Sequence, residues 1–358
     1  MQQILNLNNY KKYIDKDNIL VVCGKEFINT NLYNDINSLN KNITYFTDFK
    51  PNPDYESVKK GVEIFKQNKC EFIIVVGGGS AIDVAKCIKL YSNMDDNKLY
   101  LEQEIVPNNI TLLAVPTTAG TGSEATKFAV IYYNNIKQSI DHESIIPSLV
   151  LFVPELLKTL PLYQKKSTVL DTLSHDIESI WSINSNEEST SYSVESIKIV
   201  LENLKDYLNN NEETFERMLK ASNYAGKSIN ITQTTAGHAL CYKLTSLYGI
   251  SHGHSAMLIN SILFPYMLKH LDKCVDKRGI EYIKQRFNII IELFKDENYF
   301  KELLKSLDLY NVDVDYNDID ILVNSVNEKR LSNNPIKLEK EDIKQIYLSL
   351  FDEVKKCK

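Results

Sequence analysis

The residues best suited to chemistry fall in two stretches. Ala236 to Ala256, AGHALCYKLTSLYGISHGHSA, holds His238, His252 and His254, and upstream of it stand Asp171 and His175. Asp171 and His175 are four residues apart and so share one face of any helix they belong to. The commonest use of that spacing is an ordinary carboxylate–imidazole hydrogen bond. Here, however, both lie in an apolar stripe with Val169, Leu170 and Ile177, where an uncompensated charge is costly. One carboxylate with three imidazoles suits Fe(II) or Zn(II), which accept nitrogen and oxygen donors. From spacing alone, a metal site and a plain hydrogen-bonded pair stay equally open. Four protein ligands permit catalysis only where the ion expands its coordination for a substrate oxygen.

A second kind of chemistry is written into two glycine-bearing loops. Phe72 to Val76, FIIVV, is the clearest strand pattern in the chain and runs directly into Gly77-Gly78-Gly79-Ser80. Glycines allow a close backbone approach, and the N–H groups opening the next helix favour phosphate oxygens. A tight strand-to-helix turn needs glycine in any case, so this loop alone decides nothing. The stretch Pro116 to Ser123, PTTAGTGS, follows the next strand pattern, at Thr111 to Val115. Ligands of open parallel sheets sit at the carboxyl ends of strands, and two such loops suit a pyrophosphate and a ribose.

The elements that must position these groups are legible in outline. Ile19 to Cys23, Tyr45–Phe46, Phe128 to Tyr132 and Leu149 to Phe152 read as further strands, and Asp54 to Asn68 and Ala81 to Leu90 as helices. This alternation predicts a parallel, doubly wound α/β sheet. After Pro154 the pattern becomes helical throughout: Lys165 to Trp181, Asn186 to Asn209, Glu213 to Ile229, Ala236 to Tyr248, His252 to Lys269, then an amphipathic, lysine-rich remainder. The expected organisation is an α/β dinucleotide-binding domain over residues 1–155 and an all-helical metal- and substrate-binding domain over 156–358.

Composition narrows the function classes. The 358 residues are 43% hydrophobic and 25% charged with a net charge of −6, so no general nucleic-acid surface is expected. No apolar run is long enough for a bilayer, and no signal peptide is read at the N-terminus. The scattered cysteines, Cys23, Cys70, Cys87, Cys241, Cys274 and Cys357, form no CxxC, which predicts free thiols and a cytoplasmic location.

The motifs PNP (51–53), GGGSAIDVAK (77–86), PTTAGTGSEAT (116–126), DTLSHDIES (171–179) and HALCYKLTSLYGISHG (238–253) together resemble the iron-containing, group III alcohol dehydrogenases. That family shares the two-domain fold of dehydroquinate synthase and glycerol dehydrogenase, and the resemblance covers nearly the whole chain. It implies that Asp171, His175, His238 and His252 ligate the metal. It places Gly77, Gly78, Gly79, Ser80 and Asp83 at the dinucleotide phosphates and nicotinamide side, Thr117, Thr118, Thr121 and Ser123 along the cofactor, and Lys137 at a ribose hydroxyl. Thr117 and Thr118 also suit plain strand-end capping. A homodimer is common in the family.

Three positions depart from the family pattern. Many members carry an Asp directly after the first strand, which selects NADH. Gly24 stands there here, followed by Lys25, so NADPH is expected to be admitted alongside NADH. Tyr242 replaces a histidine found near the substrate in many members, and His254 follows the last ligand where a small residue is usual. The stretch INITQTTAGHALCYKLTSLYGISHGH resembles the phosphonoacetaldehyde reductase (2-hydroxyethylphosphonate dehydrogenase) branch of phosphonate biosynthesis. A phosphonate needs positive charge and donors, for which Lys127, Lys227, Lys243, Asn230, Thr234 and His254 are candidates. His254, at a helix start, leads them. The expected reaction is metal-dependent, NAD(P)H-linked reduction of a small anionic aldehyde. Its proton comes from water, a ribose hydroxyl, Tyr242 or His254. A general alcohol, aldehyde or diol dehydrogenase, a dehydroquinate synthase-like lyase and a non-catalytic binding protein are the rivals.

Overall fold

The FIIVV run alternates between two faces, and that alternation organises the first unit of the computed structural model, which describes residues 2–356. Ile73 and Val75 pack on one side of the sheet and Phe72, Ile74 and Val76 on the other. All five side chains are almost fully buried, each contributing roughly 2 kcal/mol of apolar burial. This is why the strand reads as a continuous hydrophobic run.

Eight strands are present among the described residues: β1 (Gln3–Leu5), β2 (Asn18–Cys23), β3 (Asn42–Phe46), β4 (Phe72–Gly77), β5 (Thr111–Pro116), β6 (Phe128–Tyr133), β7 (Ile136–Asp141) and β8 (Leu149–Leu151). Six form a parallel sheet in the order β1-β8-β5-β4-β2-β3. Helices α1 (Asn31–Asn37), α2 (Tyr55–Gln67) and α3 (Gly79–Tyr91) connect them. Asp54 caps α2 by accepting from the Ser57 N–H, as its residue type suggests. The expectation that Phe128 to Tyr132 joins the main sheet is corrected. β6 leaves that sheet and pairs with β7 as an antiparallel hairpin, turning through Asn134 and Asn135, both at positive φ. Asparagine tolerates that conformation.

The second unit is helical: α4 (Leu162–Trp181), α5 (Glu187–Leu208), α6 (Phe215–Thr232), α7 (Ala236–Tyr248), α8 (His252–Lys269), α9 (Ile280–Phe294), α10 (Tyr299–Ser306), α11 (Ile319–Asn324), α12 (Glu328–Leu331) and α13 (Lys340–Lys356). By contact density the chain divides into Met1–Leu160 with Glu212–Leu219, and Pro161–Asn211 with Lys220–Lys358. The excursion at Glu212–Leu219, which includes the first turn of α6, has no counterpart in the sequence pattern. An α/β dinucleotide-type domain and an all-helical domain are thus both present. No helix among the described residues is long and apolar enough to cross a membrane. Cys23, Cys70, Cys87, Cys241 and Cys274 are free thiols, and Cys357 lies outside the described residues.

One buried cation ties the first unit together. Lys86 on α3 is fully buried and donates to Ser123 Oγ at 3.1 Å, Thr126 Oγ1 at 3.0 Å and the Phe128 carbonyl at 2.7 Å. Burial pulls its pKa down to about 8, against the pull of Asp83 and Glu124. Lys86→Met leaves these acceptors unmet while keeping the aliphatic stem. It is expected to cost roughly 3 kcal/mol, read as a lower urea midpoint at unchanged m-value.

Candidate functional site

In the helical unit, α4 presents Asp171, His175 and Glu178 on successive turns of one face, all buried. α7 brings His238 and α8 begins with His252. Their imidazole Nε2 atoms converge on one oxygen, Asp171 Oδ1, from 3.9 Å (His175), 3.5 Å (His238) and 4.0 Å (His252). Donor atoms of Asp171, His238 and His252 all lie within 4.8 Å of one another. The His175 ring stacks on His238 at 4.7 Å.

These distances are too long for good hydrogen bonds and suit a shared ion. Ligands about 2.1 Å from a four-coordinate metal stand about 3.4 Å apart. Two buried polar atoms, Asp171 Oδ1 and His238 Nε2, have no hydrogen-bond partner, although buried polar groups normally find one. Asp171 and Glu178 are both buried carboxylates, and among the described residues no Lys or Arg pairs with either. A buried carboxylate such as Asp171, faced at Oδ1 only by imidazoles beyond hydrogen-bond reach, calls for a cation. The residues present therefore fit a divalent metal.

Glu178 was not foreseen from the sequence, although it sits in the DTLSHDIES stretch at helical spacing from both Asp171 and His175. Its Oε1 accepts from His238 Nδ1 at 2.6 Å and from Asn260 Nδ2 at 3.1 Å. Its Oε2 accepts from the Thr235 N–H at 2.7 Å and Thr235 Oγ1 at 2.8 Å. The Trp181 indole N–H in turn donates to Thr235 Oγ1. Burial pushes the Glu178 carboxyl up, but His238, Asn260 and Thr235 outweigh it and hold it well below the usual range. Burial likewise opposes ionisation of Asp171, and the imidazoles, led by His175, more than compensate. Burial pulls His238 down, while Glu178 and Asp171 raise it above the ordinary imidazole value. With Nδ1–H committed to Glu178, the Nε2 lone pair points at the cluster, the arrangement typical of a metal-binding histidine.

The structure separates the remaining candidates. His254 is corrected as a substrate or proton-donor residue. It is buried, its Nδ1 meets the Tyr163 hydroxyl at 3.2 Å and its Nε2 the Leu309 carbonyl, so both nitrogens are spent joining α8 to neighbouring segments. Burial also lowers its pKa, which argues against a cationic anion-binder. Lys127 pairs with Glu143 at 3.0 Å, with Asp141 4.0 Å away. Lys227 lies over the rings of Tyr192 and Tyr224, on the α6 face turned to α5. Asn230 closes α6, Thr234 lies in the turn before α7 with its carbonyl accepting from Asn333, and Lys243 follows Tyr242 on α7. Tyr242 is at the cluster: its ring stacks on His252 at 5.4 Å and 12°.

In the α/β unit the two glycine-bearing loops lie side by side, because Gly77 is in register with Pro116 and accepts from the Thr117 N–H at 3.1 Å. A Cβ on Gly79 would meet Thr121 Cγ2 at 2.9 Å, and one on Gly78 would meet Thr118 at 3.3 Å. The loops pack so closely that a side chain at Gly79 would have to displace Thr121, and one at Gly78 would press on Thr118. Ser80 Oγ accepts from the Asn52 N–H at 3.4 Å. Asp83 and Ser123 were expected at the cofactor but are bonded to each other at 2.8 Å, and Asp83 also accepts from the Val130 N–H at 3.0 Å. Both bonds hold the second loop in place. Lys137, on β7, acts on the Asp83 carboxyl electrostatically. Gly24 ends β2, and the Glu26 carboxylate folds back to 2.8 Å from where a Cβ on Gly24 would lie.

Glu178→Gln keeps the shape and removes the charge that orients His238. It is expected to weaken divalent-metal affinity about 10- to 100-fold, measured by competition with a chromogenic chelator.

A family model described as iron-containing alcohol dehydrogenase matches residues 2–154, and the model of that family's C-terminal part matches 165–351. The chain is 31% identical over 241 residues to an aldehyde-alcohol dehydrogenase of Streptococcus pneumoniae, a match covering 63% of this chain and 27% of the relative's length. It thus spans about a quarter of that longer protein. It is 27% identical over 318 residues to an NADPH-dependent butanol dehydrogenase of Clostridium saccharobutylicum, covering 83% of this chain and 81% of the relative. Among solved structures, the sulfoacetaldehyde reductase of Bifidobacterium kashiwanohense in complex with NAD+ superimposes with a TM-score of 0.83 at 26% identity, covering 98% of this chain and 96% of the other. With both halves of the family matched in order and the donor cluster assembled, the chain belongs to the iron-containing alcohol dehydrogenase family.

Proposed function

We propose that the protein is a metal-dependent, NAD(P)H-linked reductase of a small anionic aldehyde, with phosphonoacetaldehyde, giving 2-hydroxyethylphosphonate, as its substrate. The convergence of Asp171, His238 and His252 donor atoms, with Asp171 Oδ1 and His238 Nε2 buried and lacking hydrogen-bond partners, carries this reading. Asp171, His175, His238 and His252 hold the ion in this proposal, and the family favours Fe(II). A bound divalent ion supplies Lewis acidity toward a carbonyl oxygen. A bound reduced nicotinamide would supply the hydride for the carbonyl carbon, and with a proton to the oxygen the products would be alcohol and oxidised cofactor. Gly77, Gly78, Gly79 and Ser80 would meet its pyrophosphate through backbone N–H groups, while Thr117, Thr118 and Thr121 would line it and Lys137 would serve its ribose. Burial raises the pKa of the Tyr242 phenol, against the pull of Arg330, and its ring stacks on His252, so in this proposal Tyr242 is the hydroxyl of the protein itself placed to supply the proton. The resemblance to a sulfoacetaldehyde reductase supports an aldehyde bearing a tetrahedral oxyanion.

The decisive experiment strips the metal, restores Fe(II) or Zn(II) anaerobically, and follows oxidation of the reduced cofactor. Phosphonoacetaldehyde is expected to be turned over far better than butyraldehyde, with one cofactor oxidised per product. His252→Ala is expected to lower activity by about 100-fold or more. Equal rates with both aldehydes return the protein to a general alcohol dehydrogenase, and turnover without net cofactor oxidation returns it to the lyase class.

Cofactor preference follows from Glu26. Its carboxylate occupies the neighbourhood that Gly24 vacates and repels a 2′-phosphate, so NADH is expected over NADPH. Glu26→Gln is expected to raise the NADPH-to-NADH ratio of kcat/KM about fivefold, the scale of roughly 1 kcal/mol between two charges across water.

A further inference from the structure

With His254 buried in structural bonds and Lys127 neutralised, the helical unit needs another cation if an anionic aldehyde is to bind beside the donor cluster. Such a cation is present on α12. Arg330 donates from Nη1 to the Tyr242 hydroxyl at 2.5 Å. Its guanidinium carbon lies 4.8 Å from the centre of the Tyr242 ring, and that ring stacks on His252. Tyr242 thus touches both groups: its ring packs on the His252 imidazole and its hydroxyl is held by the Arg330 guanidinium.

Arg330 is also uncommitted in charge. Among the described residues no carboxylate pairs with it, whereas Arg278 is bound to Asp276 at 2.6 Å and Arg286 donates to Thr190. It is only partly buried, so the side chain is desolvated on its Tyr242 side and open elsewhere. A guanidinium carries five N–H donors in a rigid fork. The bond to Tyr242 uses one of them and fixes the plane, leaving a fork suited to two oxygens of one oxyanion.

We infer that Arg330 is the residue that recognises the substrate's anionic end, resting on the proposed aldehyde reduction, and that the substrate class is a short aldehyde ending in a sulfonate, phosphonate or carboxylate. Because Tyr242 contacts both His252 and Arg330, a short aldehyde would place its carbonyl at the donor cluster and its oxyanion at Arg330. Longer neutral aldehydes gain nothing from the fork. Tyr242 then has two tasks, holding the fork and facing the carbonyl.

The test uses the metal-loaded enzyme with NADH and compares kcat/KM for phosphonoacetaldehyde, sulfoacetaldehyde, succinic semialdehyde and propionaldehyde. In Arg330→Gln, the ratio of the best oxyanion substrate to propionaldehyde is expected to fall about 100-fold or more, mainly through KM. Arg330→Lys, which keeps the charge and loses the fork, is expected to recover part of that ratio. Which oxyanion loses most identifies the end group. If Arg330→Gln does not fold, Arg330→Lys alone decides, because a fork contact predicts a ratio at least about tenfold below the wild type. An unchanged ratio in either variant, with all four aldehydes slowed equally, overturns the inference and leaves Arg330 as a support for Tyr242. A wild type that reduces none of the four overturns the proposed function instead.

Discussion

Asp171 and Glu178 lie two turns apart on one face of α4, both buried, and both are met by imidazole rather than by lysine or arginine. Buried negative charge of this kind is unfavourable unless a cation or a full set of donors answers it. The second helical unit is arranged around that requirement. Glu178 receives its donors from Thr235, His238 and Asn260, which draws α7 and α8 against α4. Asp171 Oδ1 is left facing three Nε2 atoms and has no hydrogen-bond partner. α8 approaches so closely that a Cβ on Gly253 would lie 2.5 Å from Asp171 Cβ and 2.2 Å from the Ser167 carbonyl. His252 can reach the cluster only because the next residue has no side chain.

In the α/β unit a buried charge pair shapes the loops at the ends of β4 and β5. Lys86 is buried and spends its donors on Ser123, Thr126 and the Phe128 carbonyl. Asp83 balances it from the same helix and holds Ser123 and Val130. These charges fix the shape of the second loop and the start of the hairpin that follows it.

Tyr242 joins two parts of the helical unit. It offers a flat face to His252 and a hydroxyl to Arg330, so one side chain ties the guanidinium of α12 to the donor cluster.

Much of this was legible in the amino-acid order alone. The apolar run FIIVV, the Asp54 cap and the Gly249 stop after Tyr248, at φ 64, are local events, governed by periodicity and backbone sterics. The helices Ala236–Tyr248 and His252–Lys269 accordingly end where the pattern says. The strand assigned to Phe128–Tyr132 was placed in the wrong sheet, because period-two alternation says nothing about which strand is the partner. The same limit applied to the site. Asp171, His175, His238 and His252 could be named from residue type and spacing. Contacts across the fold decided that Glu178 orients His238, that His254 turns to Leu309, and that Arg330, 88 residues from Tyr242 in sequence, lies over its ring. Sequence by itself determined the local elements and the chemical types available. Tertiary structure decided which of them face one another, because burial and charge compensation are properties of the packed chain and not of any stretch within it.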